Sequence, residues 1–136
     1  MKIFIDTAPF IYLIENHPVF AGKMKTFITD AMVNGEEIVT SVVTISEFGV
    51  KPTREHRLDL IKKFEELLAR LNVKILVVDQ SAAKKASELR AKYQFLKGMD
   101  AFQLALCINE KCGWFITNDK KLKRVTEINV DIMNDL

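Results

Sequence analysis

Short apolar runs alternate with longer amphipathic segments along the whole chain. Residues 3–5, 73–78 and 114–117 are continuous apolar or β-branched runs, which is typical of strands buried on both faces of a parallel sheet. Residues 37–43 are rich in Ile, Val and Thr and predict a further strand, and residues 130–133 predict a fifth. Five strands separated by longer segments indicate a mostly parallel sheet.

The segments between these runs carry helical patterns. The clearest predicts an amphipathic helix over residues 54–71, with apolar residues recurring on one face. The other predicted helices cover residues 9–15, 19–33, 81–93 and 100–111, and a short helix capped by Thr44 extends through Glu47 and ends before Pro52. The alternation of strands and helices predicts one domain over residues 1–136, a three-layer α/β/α sandwich with a mostly parallel five-stranded sheet.

Composition narrows the class of protein only modestly. The chain has 136 residues, of which 49% are hydrophobic and 28% charged, and its net charge is +2, as in ordinary globular domains. The apolar start is interrupted at Asp6, so we expect no signal peptide or membrane anchor. Cys107 and Cys112 lie five apart in one predicted helix, so they should point to different faces and stay unpaired. Two free thiols indicate a cytoplasmic protein.

Acidic residues follow the predicted strands. Asp6 directly follows the first strand, Asp119 follows the fourth, and Glu47 lies shortly after the second. Ligand sites in parallel sheets lie beyond the carboxyl ends of the strands, so these three acids should share one edge. Asp100 opens a helix that leads into the fourth strand. It belongs to the opposite edge unless the loop over residues 94–98 carries it to the others.

Each acid also has an ordinary structural interpretation. An Asp at a strand-to-helix junction is most often a helix N-cap, Asn118-Asp119 is common turn chemistry, and Glu47 could be a solvated helix residue. Taken together, however, clustered carboxylates repel unless a cation neutralises them, and oxygen ligands favour Mg²⁺ or Mn²⁺. His17 and His56 are predicted at the surface, so neither histidine is placed as a catalytic base. The pattern favours metal-assisted cleavage of a phosphodiester.

Four short motifs contain the four acids in order. They are IFIDT at residues 3–7, TISE at 44–47, DAFQLA at 100–105 and FITND at 115–119. In this order and at these separations they resemble the motifs of PIN-domain proteins, in particular the VapC-type toxin ribonucleases of toxin–antitoxin pairs. The resemblance covers essentially the whole chain. Ala8-Pro9 and Gly98-Met99 depart from the residues that the family more often has, but neither departure removes a carboxylate.

The resemblance implies a PIN-like fold and a catalytic metal pocket. Asp6 and Asp100 would be the principal ligands of Mg²⁺ or Mn²⁺, with Glu47 and Asp119 completing the pocket. Three residues that do not themselves contact the metal would orient these ligands, namely Thr7, Thr117 and Asn118. The resemblance also brings Asp100 into the pocket, which the strand order alone did not.

RNA as substrate, a cognate antitoxin and a homodimer are likewise implied by the resemblance. Candidate contacts to the RNA backbone are basic residues that flank the acids, namely Lys97, Lys120, Lys121, Lys123 and Arg124. A solvated charge run explains them equally well. Apolar residues of the first two helices, namely Phe10, Tyr12, Leu13 and Phe20, are candidates for the antitoxin surface, but ordinary core packing is the preferred interpretation of each.

Two other functions, a receiver domain and a binding-only module, remain open, and a third is disfavoured. A phosphoacceptor receiver domain has a similar length and alternation, but Asp6 is followed by Thr7 rather than by the usual second acid. A haloacid-dehalogenase-like phosphatase is disfavoured because Ala8 stands where its second Asp belongs. A PIN-like module that only binds RNA or protein is the other alternative, although all four acids are present.

Overall fold

The computed structural model describes residues 1–136 and contains one five-stranded sheet. All neighbouring strands are parallel, in the order β3-β2-β1-β4-β5. The strands are β1 (Lys2–Ile5), β2 (Glu37–Ser41), β3 (Lys74–Leu76), β4 (Trp114–Thr117) and β5 (Val130–Ile132). In the centre, Phe4 of β1 is in register with Val39 of β2 and Phe115 of β4. The predicted parallel sheet is confirmed.

Six α-helices cover the two faces of this sheet. They are α1 (Thr7–Ile14), α2 (Phe20–Val33), α3 (Val42–Arg54), α4 (Leu58–Arg70), α5 (Gln80–Lys92) and α6 (Gly98–Asn109), with 3-10 helices at Lys120–Arg124 and Met133–Asp135. Phe4 and its register partners pack against α5 and α6. Ile3 and Ile5 point to the other face and pack against α1 to α4. The three-layer sandwich is confirmed. None of the helices combines the length and the apolar character that crossing a membrane requires.

The segment after β2 differs from its prediction. The hydroxyl of Ser41 accepts the N–H of Val43, so α3 begins at Val42 and the prediction that Thr44 caps it is wrong. The helix also continues through Pro52, which lies in its last turn, where a missing N–H costs a single helical hydrogen bond. The chain turns at His56 (φ 57°), so α4 starts at Leu58 rather than near residue 54.

The end of α6 corrects the prediction for the two cysteines. The helix stops at Asn109, and Lys111 adopts a left-handed conformation with φ 60°. Cys112 then donates its N–H to the carbonyl of Cys107 at 3.1 Å, the hydrogen bond of a Schellman motif, which brings its two ends together. Both cysteines are buried in the same core cluster, and the neighbouring Cys112 thiol raises the pKa of Cys107. They therefore lie on the same side of the chain instead of facing apart.

Two residues near the first helices lie further inside the protein than a surface position would. His17 is half-buried, and its Nδ1 accepts the N–H groups of Val19 and Phe20, each at 3.1 Å, at the start of α2. Phe10 is completely buried and packs against Phe64 of α4, with ring centroids 5.5 Å apart. Phe10 therefore belongs to the core and is not available to a partner.

Candidate metal centre

Four chain segments bring the four acids to the carboxyl edge of the sheet. Asp6 ends β1, Asp119 follows β4, and Glu47 projects from α3. Glu47, Asp100 and Asp119 line one cavity of about 590 Å³. The negative charges of Glu47 and Asp100 both raise the pKa of Asp6, which indicates that Asp6 lies beside them. Three of the four predicted acids therefore share one cavity, and Asp6 lies beside them.

The direction of α6 explains why Asp100 reaches this edge. The start of α5 lies beside the end of α6, where the Asn109 side chain donates to the Ser81 hydroxyl at 3.2 Å. Because α6 leads directly into β4, it ends at the amino edge of the sheet and begins at the carboxyl edge. Asp100 is in its first turn, and the N-cap position is Lys97, so Asp100 is not a capping residue. Asp79, which caps α5, lies at the opposite edge.

Asp6 is the most constrained of the four acids. Its Oδ1 accepts the backbone N–H of Thr7 at 2.8 Å and the side-chain amide of Gln103 at 3.3 Å. Its Oδ2 accepts the hydroxyl of Thr117 at 2.8 Å. Burial raises the pKa of Asp6 to about 6, the hydrogen bonds oppose that rise, and the neighbouring Asp100 and Glu47 add to it.

The other three acids are more accessible to solvent. Glu47 is exposed, and its Oε1 accepts the hydroxyl of Thr7 at 2.7 Å. Burial raises the pKa of Asp100, with further contributions from the charges of Asp119 and Glu47. Asp119 accepts the backbone N–H of Lys121 at 3.0 Å and so caps the 3-10 helix that follows it. Repulsion among these side chains is the arrangement that a bound cation would relieve.

The residues predicted to support the acids behave differently from one another. Thr7 and Thr117 each donate to a carboxylate, as described above. Asn118 instead donates its amide to the hydroxyl of Tyr12 at 3.0 Å, and its Oδ1 is buried without a partner. The structure thus connects Asn118 to the aromatic residues of α1 and α2 rather than to an acid.

Sequence reasoning missed a buried polar network behind the acids. Gln103 of α6 bonds Asp6, donates to the hydroxyl of Thr44 at 2.7 Å and accepts the hydroxyl of Ser41. Thr44 lies 2.9 Å from the hydroxyl of Thr40, which donates to the carbonyl of Ile5. The available signal was one amide side chain in an otherwise apolar helix, three residues after Asp100 and hence on the same face.

The candidate RNA-binding residues divide into two groups. Lys97 lines the cavity. The positive charges of Lys97 and Lys121 both lower the pKa of Asp100, so both side chains lie near its carboxylate. Lys123 pairs with Asp135 at 3.6 Å, and the Arg124 guanidinium lies 4.4 Å from the ring centroid of Phe95. Lys120 is exposed. Only Lys97 and Lys121 are therefore observed next to the acids.

The donor chemistry of the cavity suits a hard divalent cation. The carboxylates of Glu47, Asp100 and Asp119 line it and Asp6 lies beside them, and no sulfur or imidazole group is among the lining side chains. No group of three or more His, Cys, Asp or Glu side chains is spaced closely enough to hold a metal ion as the side chains stand. The carboxylates would have to come closer together than they stand to close the site around an ion.

Comparison with solved structures finds the same fold in several bacterial proteins, among them a toxin–antitoxin complex from Klebsiella pneumoniae. A chain of VapBC2 from Rickettsia felis, crystallised with a DNA fragment from its promoter, matches with a TM-score of 0.83 and 18% identity, over 97% of this chain and 98% of that one. FitAcB from Neisseria gonorrhoeae matches with a TM-score of 0.77 and 14% identity, over 98% and 99% of the two chains. VapC20 from Mycobacterium tuberculosis, a sarcin–ricin loop cleaving toxin, matches with a TM-score of 0.72 and 15% identity, over 93% and 98%.

Sequence comparison identifies the family. No curated protein sequence is significantly similar to the chain. The family model of the PIN domain, however, matches residues 3–128, which include all four acids. The chain belongs to the PIN domain family.

Proposed function

We propose that the protein is a Mg²⁺- or Mn²⁺-dependent endoribonuclease and the toxin of a type II toxin–antitoxin pair. The observation that carries the proposal is that three carboxylates from distant segments line one cavity at the carboxyl edge of a PIN-domain sheet, with the fourth, Asp6, beside them. Similarity to VapC toxins in fold supports the assignment to a toxin–antitoxin pair. RNA, rather than DNA, is the substrate that we expect.

Asp6 and Asp100 are the residues that we expect to hold the cation, with Glu47 and Asp119 completing the pocket. When bound, a divalent cation activates water for attack on the phosphodiester and stabilises the leaving oxygen. The chain's own contribution is to hold Asp6 through Thr7 and Thr117, and to hold Glu47 through the Thr7 hydroxyl. A single threonine therefore links the two carboxylates.

A cleavage assay on purified protein tests the proposal. The protein should cut total cellular RNA at internal positions with Mn²⁺ or Mg²⁺, and excess EDTA should stop the reaction. Single-stranded DNA of matched length serves as the control substrate and should remain intact. A protein that leaves RNA intact with either cation would overturn the nuclease proposal and favour a PIN-like module that only binds.

Removing positive charge beside the cavity should weaken RNA binding. Lys97→Ala combined with Lys121→Ala is expected to weaken affinity several-fold and to lower the dependence of log Kd on log salt by about one to two. Fluorescence anisotropy on the cleavage-deficient Asp6→Asn protein at increasing salt measures both quantities. Lys123→Ala is the matched control, because Lys123 is paired with Asp135 and should contribute less.

A cognate antitoxin and a homodimer are the partners that we expect. An apolar groove of about 260 Å³ between α3 and α4 is a candidate surface for the antitoxin, and it is lined by residues that include Ile45, Phe48, Ile61 and Phe64. Induced expression in a bacterial host should arrest growth, and Asp6→Asn should remove the arrest. Light scattering on purified protein tests the homodimer.

The receiver alternative does not agree with the fold. Its flavodoxin-like sheet has the strand order 2-1-3-4-5, whereas this sheet has the order 3-2-1-4-5. The PIN family model also matches nearly the whole chain. We therefore do not retain the receiver function.

A further inference from the structure

We propose that Gln103 is a positioning residue that occupies one oxygen of Asp6 and leaves the other oxygen to bind the cation. The inference rests on the proposed function, since it concerns the same site. Gln103 is 1% exposed, and a glutamine amide buried in an apolar helix costs stability unless its oxygen and its two protons are hydrogen-bonded. Its buried amide therefore has to be explained by what it contacts.

The neighbours of Gln103 determine which way its amide faces. Ser41 Oγ accepts the N–H of Val43, so its own proton is free to go to Gln103 Oε1. The amide nitrogen then faces Thr44 Oγ1 at 2.7 Å and Asp6 Oδ1 at 3.3 Å, which uses both of its protons. The reversed amide would direct its oxygen at the Asp6 carboxylate, which accepts but cannot donate when ionised.

The hydroxyls beyond Gln103 keep this orientation consistent. The single proton of Thr40 goes to the carbonyl of Ile5 at 2.8 Å. Thr44, 2.9 Å away, therefore donates to Thr40 and has a lone pair left for the amide of Gln103. The network links Gln103 to the backbone of β1 next to Asp6, so the amide is held by rigid elements.

The two carboxylate oxygens of Asp6 differ in the number of lone pairs that hydrogen bonds already occupy. Oδ1 accepts from both the Thr7 backbone and Gln103, which fills its two lone pairs. Oδ2 accepts only from Thr117 and retains one lone pair. Gln103 thus makes Asp6 a one-oxygen ligand with a defined direction, whereas Thr7 and Thr117 alone would leave one free position on each oxygen.

Gln103→Leu tests the inference, because it removes the amide oxygen and nitrogen and keeps a buried side chain of comparable size. Isothermal calorimetry should give Mn²⁺ binding weaker by a factor on the order of 10 to 100, as found when residues that orient metal ligands are lost. RNA cleavage at saturating Mn²⁺ should show a lower kcat with little change in the KM for RNA, since Gln103 is too buried to touch substrate.

Leu68→Ala is the control for a purely structural effect. Leu68 is buried in the core on the other face of the sheet, so this variant should lose thermal stability without changing the affinity for Mn²⁺. Gln103→Leu with wild-type Mn²⁺ affinity and kcat would overturn the inference. If Gln103→Leu fails to fold, Ser41→Ala frees the amide to rotate and should shift affinity in the same direction by a smaller factor; unchanged affinity in a folded Ser41→Ala protein would overturn it equally.

A measurement without metal separates this inference from the proposed nuclease function. Side-chain coupling constants of Asp6, measured by NMR on metal-free protein, should report one χ1 rotamer in the wild type and averaging in Gln103→Leu. One rotamer in both proteins would refute the positioning role. A wild type that neither binds Mn²⁺ nor cuts RNA would refute the nuclease, while the couplings would still decide whether Gln103 holds Asp6.

Discussion

Asp6→Asn is expected to abolish RNA cleavage, with a loss on the order of 100-fold or more, because it removes the charge of a principal ligand. The change is nearly isosteric, and Asn caps helices as well as Asp does, so α1 should form normally. Product formation from a labelled RNA at fixed Mn²⁺ measures the loss. Circular dichroism shows whether the variant is folded.

Asp79→Asn is the matched control for this prediction. Asp79 also caps a helix, with its Oδ1 accepting the N–H of Ala82 at 2.8 Å, but it lies at the opposite edge of the sheet. The control makes the same chemical change in the same structural role and should retain full activity. Equal activity of the Asp6 and Asp79 variants would mean that Asp6 only caps its helix, and the proposed site would be wrong.

The stability of the metal-free protein should change with pH through Asp6. Its pKa rises from the ordinary 3.8 to about 6 in the folded protein, so the folded state binds this proton more tightly than the unfolded state does. The stabilisation is complete below pH 3.8 and is lost as the pH rises to about 6. The loss is about 3 kcal/mol in the free energy of unfolding, from the shift in pKa.

The difference between wild type and Asp6→Asn isolates this contribution from the other carboxyl groups. In EDTA, the variant should gain stability relative to the wild type as the pH rises from 4 to 7, since Asn never becomes charged. Saturating Mn²⁺ should reverse the order, because the cation binds the wild type and stabilises only its folded state. Urea unfolding at several pH values measures both effects. A difference that does not vary with pH would contradict the raised pKa of Asp6.

The central features of the fold could be predicted because they depend on local pattern. Continuous apolar runs identified β1 and β4, and an acid at the end of each run identified Asp6 and Asp119 as neighbours. The edge occupied by Asp100 could not be derived in this way. It depends on α5 starting at the amino edge of the sheet, which follows from a three-residue connection after β3 that has no distinctive pattern.

The polar network was not predicted because its members look ordinary one at a time. Thr44 is a residue type that commonly caps helices, and Gln103 is a residue type that is ordinary inside helices. Their pairing depends on the packing of α3 against α6, which brings together residues far apart in sequence. Cys107 and Cys112 likewise could not be placed from sequence pattern alone. The left-handed conformation of Lys111 ends the helix between them and brings Cys112 back toward Cys107.

The central position of β1 has a consequence for the protein during its own synthesis. During synthesis β1 leaves the ribosome well before β4, the strand with which it pairs. Until β4 emerges, Asp6 lacks Thr117, and Asp119 does not yet exist in the nascent chain. Such non-local pairing makes folding slow relative to helical proteins of this size. A polypeptide in which β4 and Asp119 have not yet been made would therefore lack the complete acidic site, and the proposed activity would require all four acids to have emerged.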